Sequence, residues 1–296
     1  GLRDALGIEP QRVRDTLDFV AAIAREDAHR PGSRLQDPDF LARHFTVLHW
    51  SGDADSAREH GIVVRDGQVR LTRYLVYQHQ GSPVRTAVYD TPLHAIPTDE
   101  ATLTLDEAEE QPDLLRHRYT RRQVLDGVFL DGGEAAGQAP VLAWMRRADI
   151  HEALMQGTVE LSLTDGSVRT FNVHRSNNIP YQRAVRNPEQ QDRFWYFREV
   201  DGVRGWGEGS DKIALAPQAA VAGDVDNLGL GGLFAIAGGD GLRLVVLADT
   251  GGAFQPNLYQ LDLFTGAFPD RATFAAETAG VPDRAQVYLL VLRDVD

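Results

Sequence analysis

The chain has 296 residues, enough for one large domain or two ordinary ones, and its 43% hydrophobic and 25% charged content excludes disorder, collagen-like repeats and a coiled coil as descriptions of the whole. Acidic residues outnumber basic ones 43 to 30, a formal net charge of −13, so both the basic footprint of a nucleic-acid binder and a polybasic membrane-surface patch are missing. Cysteine is absent, which removes disulfides, thiolate metal sites and cysteine nucleophiles without fixing the compartment.

No stretch reaches the roughly 20 apolar residues that span a bilayer. The Gly1-Leu-Arg-Asp start lacks the apolar core of a signal peptide, which leaves a removed leader or lipid anchor open. The first sixty residues read as helical. Pro10 suits a first helical turn, followed by Val13, Leu17, Val20, Ala21 and Ala24 at helix spacing. Asp37 caps a second helix that carries Phe40, Leu41, His44 and Phe45. Ser51 to Ser56 reads as a loop, and strands follow at Ile62–Val64 and Val69–Tyr77.

The middle of the chain is punctuated by Pro83, Pro92 and Pro97 and by an acidic run at 106–110. Thr120 caps a short helix ending at Asp126-Gly127, and Asp149 caps another over Ile150 to Gln156 that Gly157 stops. Val159, Leu161 and Leu163 alternate up to Asp165-Gly166, a strong hairpin signal, and Val168 leads into the returning strand. From Phe194 onward the chain reads as all-β, with strands at Phe194–Phe197, Leu242–Leu247, Leu258–Phe264 and Val287–Leu292, which suggests a small barrel.

The phosphate loop, the zinc-binding HExxH and the GxSxG nucleophile elbow are all missing. Asp224-Val-Asp226-Asn227 starts like a calcium loop, with Gly229 at position six. Position twelve is Ala235 instead of glutamate, so a polar turn is the better reading, and no metal or cofactor is expected. An apolar strand runs into Asp249-Thr250-Gly251, as in aspartic proteases, but that chemistry needs two such motifs sharing one proton and only one is present. Thirteen residues on, Gln260 and Asp262 share one face of an alternating strand and Tyr259, Leu261 and Leu263 the other. Flanked by Leu261, Leu263 and Phe264, Asp262 is expected to be partly desolvated, which raises an acid's pKa and keeps its proton available.

These residues resemble the membrane-bound lytic transglycosylase A (MltA) family, whose C-terminal 3D domain is named for three aspartates. Asp224 lies in Ala220-Val-Ala-Gly-Asp, similar to the family's Val-Ala-x-Asp. Asp249 opens Asp-Thr-Gly-Gly-Ala-Phe, similar to Asp-x-Gly-Gly-Ala-Ile. Asp262 lies in Leu261-Asp-Leu-Phe-Thr-Gly266, similar to Asp-Ile-Phe/Tyr-x-Gly. Met155-Gln156-Gly157-Thr158, Leu163-Thr-Asp-Gly166, Asn178-Ile-Pro-Tyr181 and Phe194 to Glu199 follow the family in order. The family's Thr-Gly-Tyr-Tyr-Glu-Pro departs to Thr72-Arg-Tyr74-Leu-Val-Tyr77, and its Lys-Gly after Gly-Gly-Ala departs to Gln255-Pro256.

The resemblance implies a mainly β fold with N-terminal helices. A double-psi β-barrel would be built from 1–78 and 191–296, with a second β domain inserted at 79–190 and a substrate groove between them. It implies non-hydrolytic cleavage of the MurNAc–GlcNAc β-1,4 bond of peptidoglycan, leaving 1,6-anhydroMurNAc ends and needing no cofactor. Asp262 would act as acid and then base, Asp249 would orient it or stabilise charge, and Asp224 would be structural. Thr72, Tyr74, Gln156, Gly157, Asn178, Tyr181, Gly251, Gly252 and Ala253 would contact substrate. A monomer that acts on glycan strands in the periplasm, with outer-membrane anchoring through a further segment left open, completes the expectation. A glycan-binding relative without activity, a hydrolase that uses Asp249 to activate water, and an aspartic protease are the competing readings.

Overall fold

In the computed structural model, which describes residues 6–65, 67–182, 184–207, 211–238, 241–251, 254 and 256–294, Pro10 opens the helix Pro10–Asp27. A proline costs nothing at a first turn, where its missing N–H would have no helical partner. Asp37 caps the helix Pro38–His44 by accepting from the Asp39 N–H at 2.9 Å. The strands then run in chain order as β1 Phe45–Trp50, β2 Val69–Ser82, β3 Thr91–His94, β4 Val141–Met145, β5 Thr158–Leu163 and β6 Val168–Ser176. They continue as β7 Trp195–Val200, β8 Ala220–Ala222, β9 Leu233–Gly238, β10 Gly241–Asp249, β11 Gln260–Phe268 and β12 Arg284–Leu292.

The chain divides into two units. The first comprises Gly1–Leu75, Gly205–Gly266 and Ala272–Asp296, and the second comprises Val76–Arg204 and Ala267–Arg271. In the first unit β1 pairs antiparallel with β12, and β12 with β9, β9 with β10 and β8 with β11 pair likewise; β10 and β8 run parallel. β11 neighbours β2, and β2 pairs back to β12 through Arg70↔Arg284 and Val69↔Ala285. The pairing therefore comes back to β12. The core of this unit holds Val69, Leu71, Val221, Phe234, Leu247, Leu261, Leu263 and Val287, all buried. A second cluster packs Ile23 of the first helix against Phe40, Leu41, Phe45, Leu233 and Leu290, which explains the one apolar stripe on that helix.

In the second unit β5 lies parallel to the end of β2 and antiparallel to β6, β6 pairs with β7, and β4 pairs with β3 and β2. Asp165-Gly166 turns between β5 and β6, with Gly166 at φ +86°. The core gathers Leu93, Val124, Met145, Ile150, Leu161, Phe171, Phe194 and Phe197. A buried ion cluster lies in the same unit: Glu100 Oε2 meets Arg116 Nε at 2.9 Å and Arg175 Nη1 at 2.7 Å.

The fold is mixed rather than mainly β, because helices at Leu105–Glu109, Leu115–Arg118 and Arg271–Glu277 add to those expected near the N-terminus, 120 and 150. Phe45–Trp50 is a strand and not the end of a helix, since pairing with β12 from Phe45↔Leu292 to Trp50↔Val287 satisfies its backbone groups. Ala54–Glu59 is a helix inside the expected loop, because Asp53 accepts from the N–H groups of Asp55 and Ser56. Ile62–Val64 pairs with no strand, and Val63 is exposed. Asp149 does not cap its helix, which begins at Arg147; it sits in the first turn, where a carboxylate suits the helix dipole. The stretch after Phe194 also holds a π-turn at Val225–Gly229 and the helix Arg271–Glu277.

Candidate active site

The short strand β8 sets the site. It lies between β10 and β11, and Ala222 is in register with Asp249 on one side and Asp262 on the other. Residues in register across a sheet share a face, so both carboxylates project from the same side. Neighbouring strands are 4.7–4.9 Å apart, which places the two aspartate backbones about 10 Å apart. An irregularity in β10 between Leu247 and Asp249 re-aims the aspartate at the strand end, as bulges beside sites commonly do.

Asp249 is held from both sides. Its Oδ2 accepts from the Tyr74 hydroxyl at 2.8 Å and its Oδ1 from the Thr250 N–H at 2.9 Å. Gly205 lets backbone approach it, because a Cβ there would lie 2.7 Å from the Ala248 carbonyl and 3.1 Å from Asp249 Cβ, and the Gly223 N–H donates to the Asp249 carbonyl at 3.1 Å. Burial pushes the Asp249 carboxyl above the usual range, while the Tyr74 hydroxyl, the Thr250 N–H and the charge of Lys212 pull it back in part. Burial and the two carboxylates hold the Tyr74 phenol far above its usual range. Its ring packs against Phe264, with centroids 5.3 Å apart.

Asp262 is placed differently. Its Oδ1 is buried and has no hydrogen-bond partner among the described residues. Burial, aided by the negative charge of Asp249, pushes its carboxyl up to about 6; a hydrogen bond from Thr72 and the charges of Arg70 and Arg73 oppose the rise. The Thr72 hydroxyl is itself positioned: Gln260 Nε2 donates to it at 2.9 Å, and Arg70 Nη1 donates to Gln260 Oε1 at 3.1 Å. Thr72 Oγ1 accepts from Gln260 and donates to the Leu261 carbonyl at 3.4 Å. The arrangement is an acid that is half protonated near pH 6, next to a second carboxylate whose oxygens are both engaged.

Asp224 is buried and does not join this pair. It accepts from the Asn227 N–H at 3.0 Å, Asn227 Nδ2 at 2.8 Å and the Asn257 N–H at 3.0 Å, tying the π-turn to the chain ahead of β11. Of the expected substrate residues, Thr72 and Tyr74 join the aspartates. Gly251 is exposed near them in sequence, and Gly252 and Ala253 lie outside the described residues. Gln156, Gly157, Asn178 and Tyr181 belong to the second unit. Gly157 ends its helix at φ +76°; Asn178, also at positive φ, accepts from Arg116 Nη1 at 3.2 Å and donates to Glu109 at 2.5 Å. Gln156 and Tyr181 are exposed. The sequence carries no signal for the roles of Arg70 and Lys212 beside the aspartates. Gln260 shares the face of Asp262 by alternation and was the one legible signal. Among the described residues no group of three or more potential metal ligands gathers, and no helix is long and apolar enough to cross a membrane.

Residues 70–188 match the MltA specific insert domain. A comparison with curated proteins finds no match. Among solved structures, the chain is similar to Escherichia coli MltA with bound chitohexaose, with a TM-score of 0.62 at 17% identity over 99% of this chain and 88% of that one. It is similar to Neisseria gonorrhoeae MltA, with a TM-score of 0.60 at 19% identity over 93% and 83% of the two chains. A membrane-bound lytic murein transglycosylase from Agrobacterium tumefaciens gives 0.58 at 19% identity over 90% and 82%. Residues 70–188 thus carry the MltA insert domain, and the chain as a whole shares the fold of the solved MltA structures.

Proposed function

We propose that the protein is a peptidoglycan lytic transglycosylase that cleaves the MurNAc–GlcNAc β-1,4 bond without water, with Asp262 as the reacting group. The observation that carries this reading is the state of Asp262: its acid is pushed up to about 6 and one buried oxygen has no partner among the described residues. A glycosidase needs a second carboxylate as base or nucleophile. Asp249 is poorly suited to that task, because both of its oxygens are engaged by Tyr74 and Thr250. A transglycosylase needs only one carboxyl. Protonated Asp262 gives its proton to the glycosidic oxygen, and the C1–O bond breaks to leave an oxocarbenium-like centre. The C6 hydroxyl of the same sugar attacks C1, its proton passes to the Asp262 carboxylate, and the 1,6-anhydro ring closes with the acid restored.

Asp249 acts through its charge and not by a hydrogen bond to Asp262. It holds the Asp262 proton before reaction and faces the positive centre during it. Thr72 steadies the Asp262 carboxylate between the two proton transfers. The closed path of strands with its parallel β8–β10 pair supports reading the first unit as a double-psi β-barrel. Chitohexaose in the Escherichia coli relative supports glycan strands as the partner, and such a substrate supports a periplasmic location.

Mass spectrometry of purified peptidoglycan digested with wild type and with Asp262→Asn tests this. Muropeptides one water lighter than hydrolysis products, formed by wild type alone, are expected. Full-mass reducing ends would establish a hydrolase instead, and full activity of the variant would remove Asp262 from the mechanism.

A further inference from the structure

Two arginines of the second unit, Arg121 and Arg193, have no carboxylate partner among the described residues. Arg121 is buried, at 3% exposure. Its guanidinium donates to two carbonyls, Arg193 O at 2.8 Å and Pro188 O at 3.1 Å. Side chains of this kind are almost never buried unless a carboxylate pairs with them. Burial, and then the neighbouring Arg193 charge, push the Arg121 pKa down, and the neutral Tyr181 phenol lies within electrostatic reach. Arg193 is half-buried, lies over the Trp195 ring at 4.3 Å and feels the same Tyr181.

The acids in this neighbourhood are engaged elsewhere: Asp192 lies 3.8 Å from Arg122, and Glu189 lies 3.7 Å from His151 Nε2. Neither pairs with Arg121 or Arg193 among the described residues. In a chain of net charge −13, an acid-free pair of partly desolvated guanidiniums is a departure that packing alone does not account for.

We propose that Arg193, backed by Arg121 and flanked by Trp195 and exposed Tyr181, forms a binding site for carboxylate groups of the peptide stems that peptidoglycan carries. The Arg193 fork stacked on an indole is pre-oriented for a planar carboxylate, and such a pair is charge-assisted and often bidentate. Arg121 adds positive potential from behind without having to reach the ligand. The Tyr181 hydroxyl and the Trp195 face offer the amphipathic surface that a short peptide needs. The assignment of the ligand to peptidoglycan rests on the function proposed above. The anion site itself does not.

The test uses the Asp262→Asn protein, so that nothing is cleaved, and measures binding by calorimetry. The probes are a free tetrapeptide stem, the same stem with its carboxylates amidated, inorganic phosphate, glycan strands bearing stems, and strands stripped of them. The stem is expected to bind and the amidated stem to bind at least about tenfold more weakly. The preference for stem-bearing over stripped strands is expected to collapse in Arg193→Gln and to be partly kept in Arg193→Lys. Equal binding of free and amidated stems overturns the site. Binding of phosphate as tight as that of the stem overturns the peptide assignment. Stem binding that depends on Arg193, without any glycan binding, would leave the anion site standing while removing the transglycosylase reading.

Discussion

A raised acid pKa is also a statement about stability, and Asp262 allows the effect to be worked out. The carboxyl is pushed from 3.8 to about 6 in the folded chain, close to two pH units. At 1.36 kcal/mol per unit, ionising Asp262 costs the native state about 3 kcal/mol more than it costs the unfolded one. The sign follows from proton counts. Between pH 3.8 and 6 the folded protein holds more protons at this position than the unfolded chain, so stability falls as pH rises through that window. Below it the penalty is absent, and above it the penalty is complete.

Asp262→Asn keeps the shape and never ionises, so it is expected to match wild type near pH 4 and to exceed it by about 3 kcal/mol at pH 8, while being inactive. Chemical denaturation of both proteins from pH 4 to 8, followed by fluorescence, measures the difference. A stability gap that does not grow with pH, or an Asn variant less stable than wild type at pH 8, would refute the claim that burial of Asp262 is uncompensated.

Thr72→Val removes a donor that favours the charged form of Asp262, so the alkaline limb of the activity–pH profile should move up by about one pH unit; an unmoved limb would mean that Thr72 does not reach the carboxyl. Asp249→Asn takes away a charge that raises the Asp262 pKa, so that limb should move the opposite way, and rates at pH 7 should fall. Asp224→Ala strips three hydrogen bonds from a buried turn and is expected to cost at least about 2 kcal/mol in denaturant unfolding, with the Asp262 pH profile of the folded fraction unchanged.

Much of the local structure could be read directly because near neighbours decide it. Thr120 and Gln123 form a reciprocal cap, Gly157 stops a helix at positive φ, and the turn around Asp165-Gly166 joins β5 to β6. The alternation around Asp262 likewise predicted a partly desolvated acid, since Leu261 and Leu263 had to face the core. The spacing of the aspartate motifs, once matched to a family, pointed to Asp249 and Asp262 together.

What the sequence could not supply was who meets whom across the fold. Tyr74 reaches Asp249 across 175 positions and Gln260 reaches Thr72 across 188, and no local pattern encodes either contact. Phe45–Trp50 becomes a strand only because β12, far along the chain, satisfies its backbone. Arg121 and Arg193 look like ordinary surface arginines until the fold buries one and stacks the other on Trp195. Residue identity and spacing determined which groups could react and which local elements form. Strand register and burial, which depend on long-range pairing and on the removal of water, decided which carboxyl is pushed up to about 6 and which has both oxygens engaged.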